Sequence, residues 1–331
     1  MSEGRAEQGS KDIEDGGSPN GHDSPASRGR VFVGPSEHPW FDDGLDAVGR
    51  GGGDVVPASE AQAVVWLGGS IDELRSVMHP GTRWVQLPSA GVEPWVDLFD
   101  GQRVYTSARG IYAETVAEHV MAMILAAARE IPANSRSQTW DGGLPRQGRM
   151  LRGSTVLLIG AGGIGEAVIR LIEPFGVRTV AVTRSGRVVP GAYESLDPSG
   201  VPRALPEADF VVLSAPATPT TRHLIGPDEL AAMRSSAWLI NVGRGSAVDT
   251  GALVTALREE RIGGAALDVT DPEPLPDGHP LWGEPNVLIT PHVANPKAAQ
   301  LTRLLEHIEG NVRRFIADEP LASVVDVDAG Y

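Results

Sequence analysis

TVLLIGAGGIG, residues 155–165, is the stretch that indicates the architecture of this 331-residue chain. A continuous apolar run followed at once by G-x-G-x-x-G is typical of a buried strand that turns into a helix and binds a dinucleotide. Gly160 permits the tight turn, Gly162 lets a pyrophosphate approach the backbone, and Gly165 allows close packing of helix on strand. Free N–H groups at the start of that helix favour an anion.

Similar strand and helix patterns continue on both sides of this stretch. Downstream, short apolar runs alternate with helical segments, which predicts a doubly wound parallel sheet. The runs are Arg178–Val182, Phe210–Leu213, Ala237–Asn241, Ala265–Leu267 and Val287–Thr290, and the helical segments include Ile164–Phe175, Pro227–Met233 and Thr250–Glu259. Upstream, a smaller α/β unit with a parallel sheet is predicted from the strands Val31–Gly34, Ala63–Leu67 and Trp84–Leu87 and the helix Ile71–Met78. Two long helices are predicted at Thr115–Arg129 and Lys297–Ile316.

Composition excludes several classes of function. The 28 basic and 43 acidic residues give a net charge of −15, which disfavours nucleic acid as a partner. The absence of cysteine excludes disulfides and thiolate zinc sites, and no metal site is expected. Residues 1–30 are polar and rich in Gly and Ser, so we interpret them as a disordered tail. The sequence contains no signal-peptide core and no apolar stretch of about 20 residues, so we expect a cytoplasmic protein with no membrane partner.

The end of the second nucleotide-domain strand bears on the choice of cofactor. The acidic residue that usually binds the adenosine ribose is missing from VTRSGR, residues 182–187. Arg184 and Arg187 offer charge-assisted hydrogen bonds to a 2′-phosphate, which a carboxylate would repel. We therefore predict NADP(H) as the preferred cofactor and NAD(H) as the alternative. In that alternative both arginines are solvated loop charges.

Three motifs each place a charged or titratable residue beyond the carboxyl end of a predicted strand. They are LINVGRG (239–245), ALDV (266–269) with PEPLP (272–276), and TPHVAN (290–295). Reduction of a 2-oxo acid needs a cation for the substrate carboxylate and ketone, a proton donor for the developing alkoxide, and a carboxylate that keeps this donor protonated. Arg244, His292 and Glu273 have the chemistry for these tasks in that order.

With these motifs in the same order and at matching spacings, the sequence resembles the D-isomer-specific 2-hydroxyacid dehydrogenase family from about residue 30 to the C-terminus. The resemblance implies that His292 is the acid/base, Glu273 its hydrogen-bonded partner and Arg244 the substrate-binding cation. It also implies that backbone N–H groups of Ala90, Gly91 and Val92 bind substrate. Cofactor contacts are expected at Gly160, Gly162, Gly163, Ile164, Gly165, Thr183, Arg184, Ser185, Arg187, Ala215, Pro216, Val242, Gly243, Asp268 and Ala294.

The same resemblance implies a split architecture of two Rossmann-like or flavodoxin-like doubly wound parallel-sheet α/β domains. Residues 31–108 and 297–331 would form the substrate-binding domain, and residues 109–296 the nucleotide-binding domain. The active site would lie in the cleft between the domains, whose closure excludes water. A homodimer with contacts from helix 115–129 is expected.

A small substrate such as glyoxylate or hydroxypyruvate is the first expectation, and there are three alternatives. A 3-phosphoglycerate dehydrogenase needs a basic phosphate pocket, for which Arg83, Arg103 and Arg109 are the candidates. Formate dehydrogenases share the fold, but Glu273 argues against them because formate oxidation needs no acid/base partner. A dinucleotide-sensing corepressor on the same fold stays open. Thr270, where the family often has an aromatic residue, leaves the substrate side chain undetermined.

Overall fold

The computed structural model describes residues 29–140 and 148–327. The tail predicted for residues 1–30 lies outside the described residues except at its end, where Arg30 begins the first strand. Within the described ranges, no helix is both long enough and apolar enough to cross a membrane.

Short strands alternate with helices along the described chain. The strands are β1 (Arg30–Gly34), β2 (Asp54–Val55), β3 (Ala63–Trp66), β4 (Trp84–Gln86), β5 (Val104–Thr106), β6 (Thr155–Ile159), β7 (Arg178–Val182), β8 (Glu194–Leu196), β9 (Phe210–Leu213), β10 (Trp238–Asn241), β11 (Gly264–Leu267) and β12 (Val287–Ile289). The α-helices are α1 (Phe41–Arg50), α2 (Ile71–Val77), α3 (Ala113–Ala128), α4 (Ile131–Asn134), α5 (Gly163–Ile172), α6 (Val201–Ala204), α7 (Pro227–Ala232), α8 (Thr250–Arg258) and α9 (Lys297–Ile316).

These strands form two sheets in which every pairing is parallel. The first has five strands in the order β2-β1-β3-β4-β5, and the second has seven in the order β12-β11-β10-β9-β6-β7-β8. In both sheets the chain starts near the middle, moves to one edge and then crosses to the other side. This is doubly wound topology, and it confirms the predicted fold class.

Burial explains why the strands of the large sheet read as continuous apolar runs. All residues of β6, β9, β10 and β11 are buried, because helices cover both faces of a parallel sheet. Pro174 ends the predicted helix early. A proline lacks the N–H that continues a helix, so α5 stops at Ile172 and a 3₁₀ turn, Glu173–Phe175, follows.

Two helix contacts define how the chain connects the sheets. Helix α3 packs along α5 of the large sheet, whereas α9, at the other end of the chain, packs on α1 beside the small sheet. The residues after α9 also bond to the small sheet, with Ser107 N–H donating to the Ser323 carbonyl and Val325 N–H to that of Tyr105. The chain therefore returns to its first sheet. The domain limits at 108/109 and 296/297 stay a prediction.

Candidate active site

The glycine-rich turn at the end of β6 leaves its backbone accessible. Gly160 has φ +92°, and a Cβ there would overlap the backbone of Ala215, so only glycine fits. A Cβ on Gly162 would meet open space except for the Gly160 carbonyl oxygen 3.9 Å away. Helix α5 starts at Gly163 without a side-chain cap, which leaves its first N–H groups for an anion. This turn fits a pyrophosphate.

An unsatisfied hydroxyl lies at the end of β7, the next strand. Thr183 is buried, and its Oγ1 has no hydrogen-bond partner within the described chain, an arrangement that a ligand group can satisfy. Arg184, Ser185 and Arg187 follow and are exposed. Arg187 folds back onto the glycine-rich turn, where its Nη2 donates to the Ala161 carbonyl at 3.2 Å and to Glu166 Oε1 at 2.5 Å. Positive charge therefore stands beside the turn, although Glu166 partly neutralises it.

The remaining predicted cofactor residues follow neighbouring strands of the large sheet. A Cβ on Gly243 would lie 2.8 Å from the Ala215 carbonyl oxygen, so the segments after β9 and β10 are in close contact. Pro216 and Val242 belong to these two segments, and Ile164 and Gly165 to the first turn of α5. Since the carboxyl ends of parallel strands share one edge, these residues line one edge of the sheet.

Asp268 supports the turn that carries His292. It is buried, and its Oδ1 accepts from the Thr290 hydroxyl at 2.6 Å and from Val293 N–H at 2.9 Å, while Oδ2 accepts from Ala294 N–H at 3.0 Å. His292 N–H donates to the Asp268 carbonyl at 2.8 Å. His119, on α3, places Nε2 3.0 Å from the Thr290 hydroxyl. The predicted contact of Asp268 with the cofactor stays a prediction.

The side chains of His292 and Glu273 form the pair expected from the sequence. Nδ1 of His292 lies 2.6 Å from Oε1 of Glu273. The backbone of His292 has φ +52°, a conformation uncommon outside glycine that persists where the surroundings enforce it. Both side chains are exposed at 57% and 42%, so the imidazole edge opposite Glu273 is open to a ligand.

Arg244 contacts the small-sheet loop that was predicted to bind substrate. A Cβ on Gly91 would overlap Nη2 of Arg244, so glycine at this position lets the guanidinium approach the backbone. Within the described residues, the N–H groups of Ala90 and Gly91 make no intramolecular hydrogen bond. Val92 is buried and anchors the loop. Two free N–H groups beside a guanidinium form a site for a carboxylate.

Glu93, Thr290 and His119 were missed by the sequence reasoning. Glu93 Oε1 accepts from Arg244 Nε at 2.9 Å, although it is distant from Arg244 in sequence. Glu93 adjoins the predicted substrate loop, and Thr290 is two residues before His292, so proximity to these motifs was the available signal. His119 gave none, because a histidine in an apolar helix is usually structural.

Comparison with known proteins identifies the family. The profile of the D-isomer specific 2-hydroxyacid dehydrogenase NAD binding domain matches residues 121–294. A Corynebacterium melassecola protein, named an uncharacterized protein in the proB 3′ region, is 37% identical over 300 residues, or 89% of this chain and 98% of that one. Glyoxylate/hydroxypyruvate reductase B of Escherichia fergusonii is 31% identical over 281 residues, covering 80% and 86%.

A solved structure of the same family is also similar to this chain. The D-isomer specific 2-hydroxyacid dehydrogenase from Xanthobacter autotrophicus Py2, in complex with NADPH and MES, has a TM-score of 0.80 at 28% identity and covers 92% of this chain and 99% of that one. The chain belongs to the D-isomer specific 2-hydroxyacid dehydrogenase family, which confirms the resemblance found in the sequence.

Proposed function

We propose that this protein is an oxidoreductase that reduces a small 2-oxo acid to the D-2-hydroxy acid with NADP(H). The observation that carries the proposal is the 2.6 Å contact between His292 Nδ1 and Glu273 Oε1, on a turn held at the cofactor edge of the sheet. Formate oxidation would not require this pair. The bound nicotinamide supplies the hydride, and the residues of the chain supply binding, orientation and the proton.

Arg244 and the loop 90–92 bind the substrate carboxylate in this proposal. Two observations support this: Nη2 of Arg244 lies where a Cβ on Gly91 would be, and the N–H groups of Ala90 and Gly91 have no backbone partner within the described residues. A guanidinium there also polarises the neighbouring ketone oxygen, on which negative charge develops during reduction. Arg244 thus serves the substrate in its ground state and in its transition state.

His292 donates the proton to the developing alkoxide. With Nδ1–H donating to Glu273, the opposite ring nitrogen, Nε2, is the one that faces a ligand. The carboxylate of Glu273 holds the ring in this orientation and stabilises the imidazolium that acts as general acid. The hydrogen bonds of Asp268 to the backbone of Val293 and Ala294 keep the histidine turn in place.

NADP(H) is the preferred cofactor, with NAD(H) as the alternative. Two features support this preference: the missing acidic residue at Thr183, and the cationic Arg184 and Arg187 next to it. The relative from Xanthobacter autotrophicus was solved with NADPH. Arg184 and Arg187 are both assigned to the 2′-phosphate, and Arg187 also pairs with Glu166.

Glyoxylate or hydroxypyruvate is the proposed substrate, since the Escherichia fergusonii relative is named for both. A phosphorylated substrate is less well supported. Of the three arginines considered for a phosphate, Arg103 is paired with Asp100 and also donates to the carbonyl of His79 at 3.1 Å. This guanidinium is part of the small-sheet structure and is committed to internal partners.

A homodimer in the cytoplasm is also proposed. Three large apolar side chains that follow α3 in the sequence are exposed, Ile131 at 52%, Trp140 at 98% and Met150 at 77%. Large apolar side chains left this exposed are typical of a protein interface. Light scattering of the purified protein tests the dimer, and a monomer at all concentrations would contradict it.

The experiment that tests the activity is the loss of NADPH absorbance, with NADH in parallel, against glyoxylate, hydroxypyruvate and pyruvate. Turnover with NADPH preferred is expected. His292→Ala is the matched control, because it should lose most of the rate while NADPH still binds. If the wild-type protein bound NADPH but reduced no 2-oxo acid, the proposal would be wrong and a dinucleotide-sensing role would replace it.

A further inference from the structure

An ion pair joins the small-sheet segment to Arg244. Glu93 begins the 3₁₀ segment Glu93–Leu98, directly after the substrate loop, and its Oε1 accepts from Arg244 Nε at 2.9 Å. The two side chains are only 33% (Arg244) and 38% (Glu93) exposed. Oε2 of Glu93 also lies where a Cβ on Gly91 would be. A fixed carboxylate is therefore part of the wall of the proposed substrate site.

The hydrogen bonds of the guanidinium determine which of its edges is available. Nε is used by Glu93, and Nη1 donates to the carbonyl of Gly243 at 2.9 Å. Nη2, against Gly91, and the second N–H of Nη1 are left for a ligand. One substrate carboxylate can be held there, with help from the N–H groups of Ala90 and Gly91.

A second anionic group on the substrate would meet Glu93. The charges of Glu93 and Arg244 offset each other. The free N–H groups can then bind one incoming negative charge, but no cationic charge of this pair is left to balance a second. In a small 2-oxo acid such as oxaloacetate the second carboxylate is only two bonds from the ketone carbon, so it stays close to Arg244. Like charges at this separation repel, and partial exposure weakens the repulsion without removing it.

We propose that Glu93 determines specificity by restricting the enzyme to 2-oxo acids with a single negative charge and rejecting dicarboxylates and phosphorylated 2-oxo acids. This inference rests on the proposed function and names its substrate class. It differs from a purely structural role for Glu93 in what it predicts. A structural role affects all substrates equally, whereas a charge filter affects monoanions and dianions differently.

Two substrate pairs measure the filter directly. Pyruvate and oxaloacetate differ by one carboxylate, and hydroxypyruvate and its 3-phosphate differ by one phosphate. For the wild-type protein, kcat/KM should be higher for the monoanion in each pair. In Glu93→Gln, which keeps the shape of the side chain, the monoanion preference should fall about tenfold. In both proteins the preference should decrease as salt is raised from about 0.02 M to about 0.5 M, and less so in Glu93→Gln.

Asp97→Asn is the matched control. Asp97 is exposed on the same 3₁₀ segment, and the ion pair of Arg244 is with Glu93. The variant therefore changes the net charge equally without removing that ion pair, and the preference should stay within about twofold of wild type. If Glu93→Gln lowered kcat/KM for both members of a pair in parallel, or left the preference unchanged, the inference would be overturned while the proposed function stood. If the wild-type protein reduced none of these 2-oxo acids, both would fall.

Discussion

Thr290→Val removes one hydroxyl from the support beneath His292 while keeping the shape of the side chain. The Thr290 hydroxyl donates to Oδ1 of Asp268 at 2.6 Å, and Asp268 is only 2% exposed, so water cannot easily replace the lost donor. A hydrogen bond to a charged group contributes about 1.5–3 kcal/mol to stability. We expect the free energy of unfolding to fall by about that amount.

The effect on catalysis has an upper limit set by the same bond. The φ of +52° at His292 is held by the Asp268 network, so a weaker network lets the turn relax into conformations in which His292 is misplaced. The loss of kcat/KM cannot exceed the free energy removed, which corresponds to about 10- to 150-fold. Affinity for NADPH should change little in comparison.

Three measurements test this reasoning. Urea unfolding gives the stability, steady-state reduction of glyoxylate or hydroxypyruvate gives kcat/KM, and fluorescence titration gives the dissociation constant of NADPH. Thr290→Ser keeps the hydroxyl and should restore most of the activity. Full activity in Thr290→Val, despite a measured loss of stability, would refute the claim that this hydrogen bond positions His292.

Four further outcomes are expected. Glu273→Gln should lower kcat about 10- to 100-fold, because the imidazole of His292 loses the carboxylate that orients it; an unchanged kcat would contradict the assignment. Thr183→Asp combined with Arg184→Ala should lower the NADPH/NADH ratio of kcat/KM at least about tenfold, and a constant ratio would exclude both residues as phosphate readers. Trp140→Ser should shift the dimer towards monomer in light scattering at low micromolar protein. Burial, and secondarily the charge of Arg314, lowers the pKa of His307 from 6.5. Because the unfolded chain then binds a proton that the folded chain does not bind, the free energy of unfolding should decrease as pH falls below about 6.5. The urea midpoints at pH 7.5 and pH 5.5 should therefore differ less in His307→Gln than in wild type.

A buried set of polar side chains around Asn311, beside the small sheet, could not be predicted from the sequence. Nδ2 of Asn311, on α9, lies 3.2 Å from both Oε1 of Gln86 and Nε2 of His307, and its Oδ1 accepts from Ala322 N–H at 2.8 Å. Asn311 and Gln86 are fully buried. In sequence, each of these polar residues is compatible with an exposed position. Only the return of α9 to the small sheet pairs them.

Local patterns in the sequence were enough to predict the fold class, and they also indicated the residues proposed for the site. Strands buried on both faces are apolar throughout, and the glycine-rich turn after β6 has strict conformational requirements, so both are recognisable without tertiary information. Arg244, Glu273 and His292 follow such strands, and their chemical types indicate the reaction. Short elements such as α4, β2, β5 and β8 were missed, because a few residues carry too little periodicity to predict a helix or strand. The ten-residue α1 was also missed, because its Gly and Asp residues have low helix propensity.

Which side chains meet was decided by the tertiary structure. Glu93 and Arg244 are 151 residues apart, and His119 and Thr290 are 171 residues apart. Contacts at such separation depend on how the two sheets and α3 are packed, which no local propensity encodes. The sequence by itself determined a dinucleotide-binding fold and indicated a histidine, a carboxylate and a guanidinium beyond the ends of its strands. Packing determined that the cation shares its site with a carboxylate, and this arrangement is the basis of the proposed charge filter.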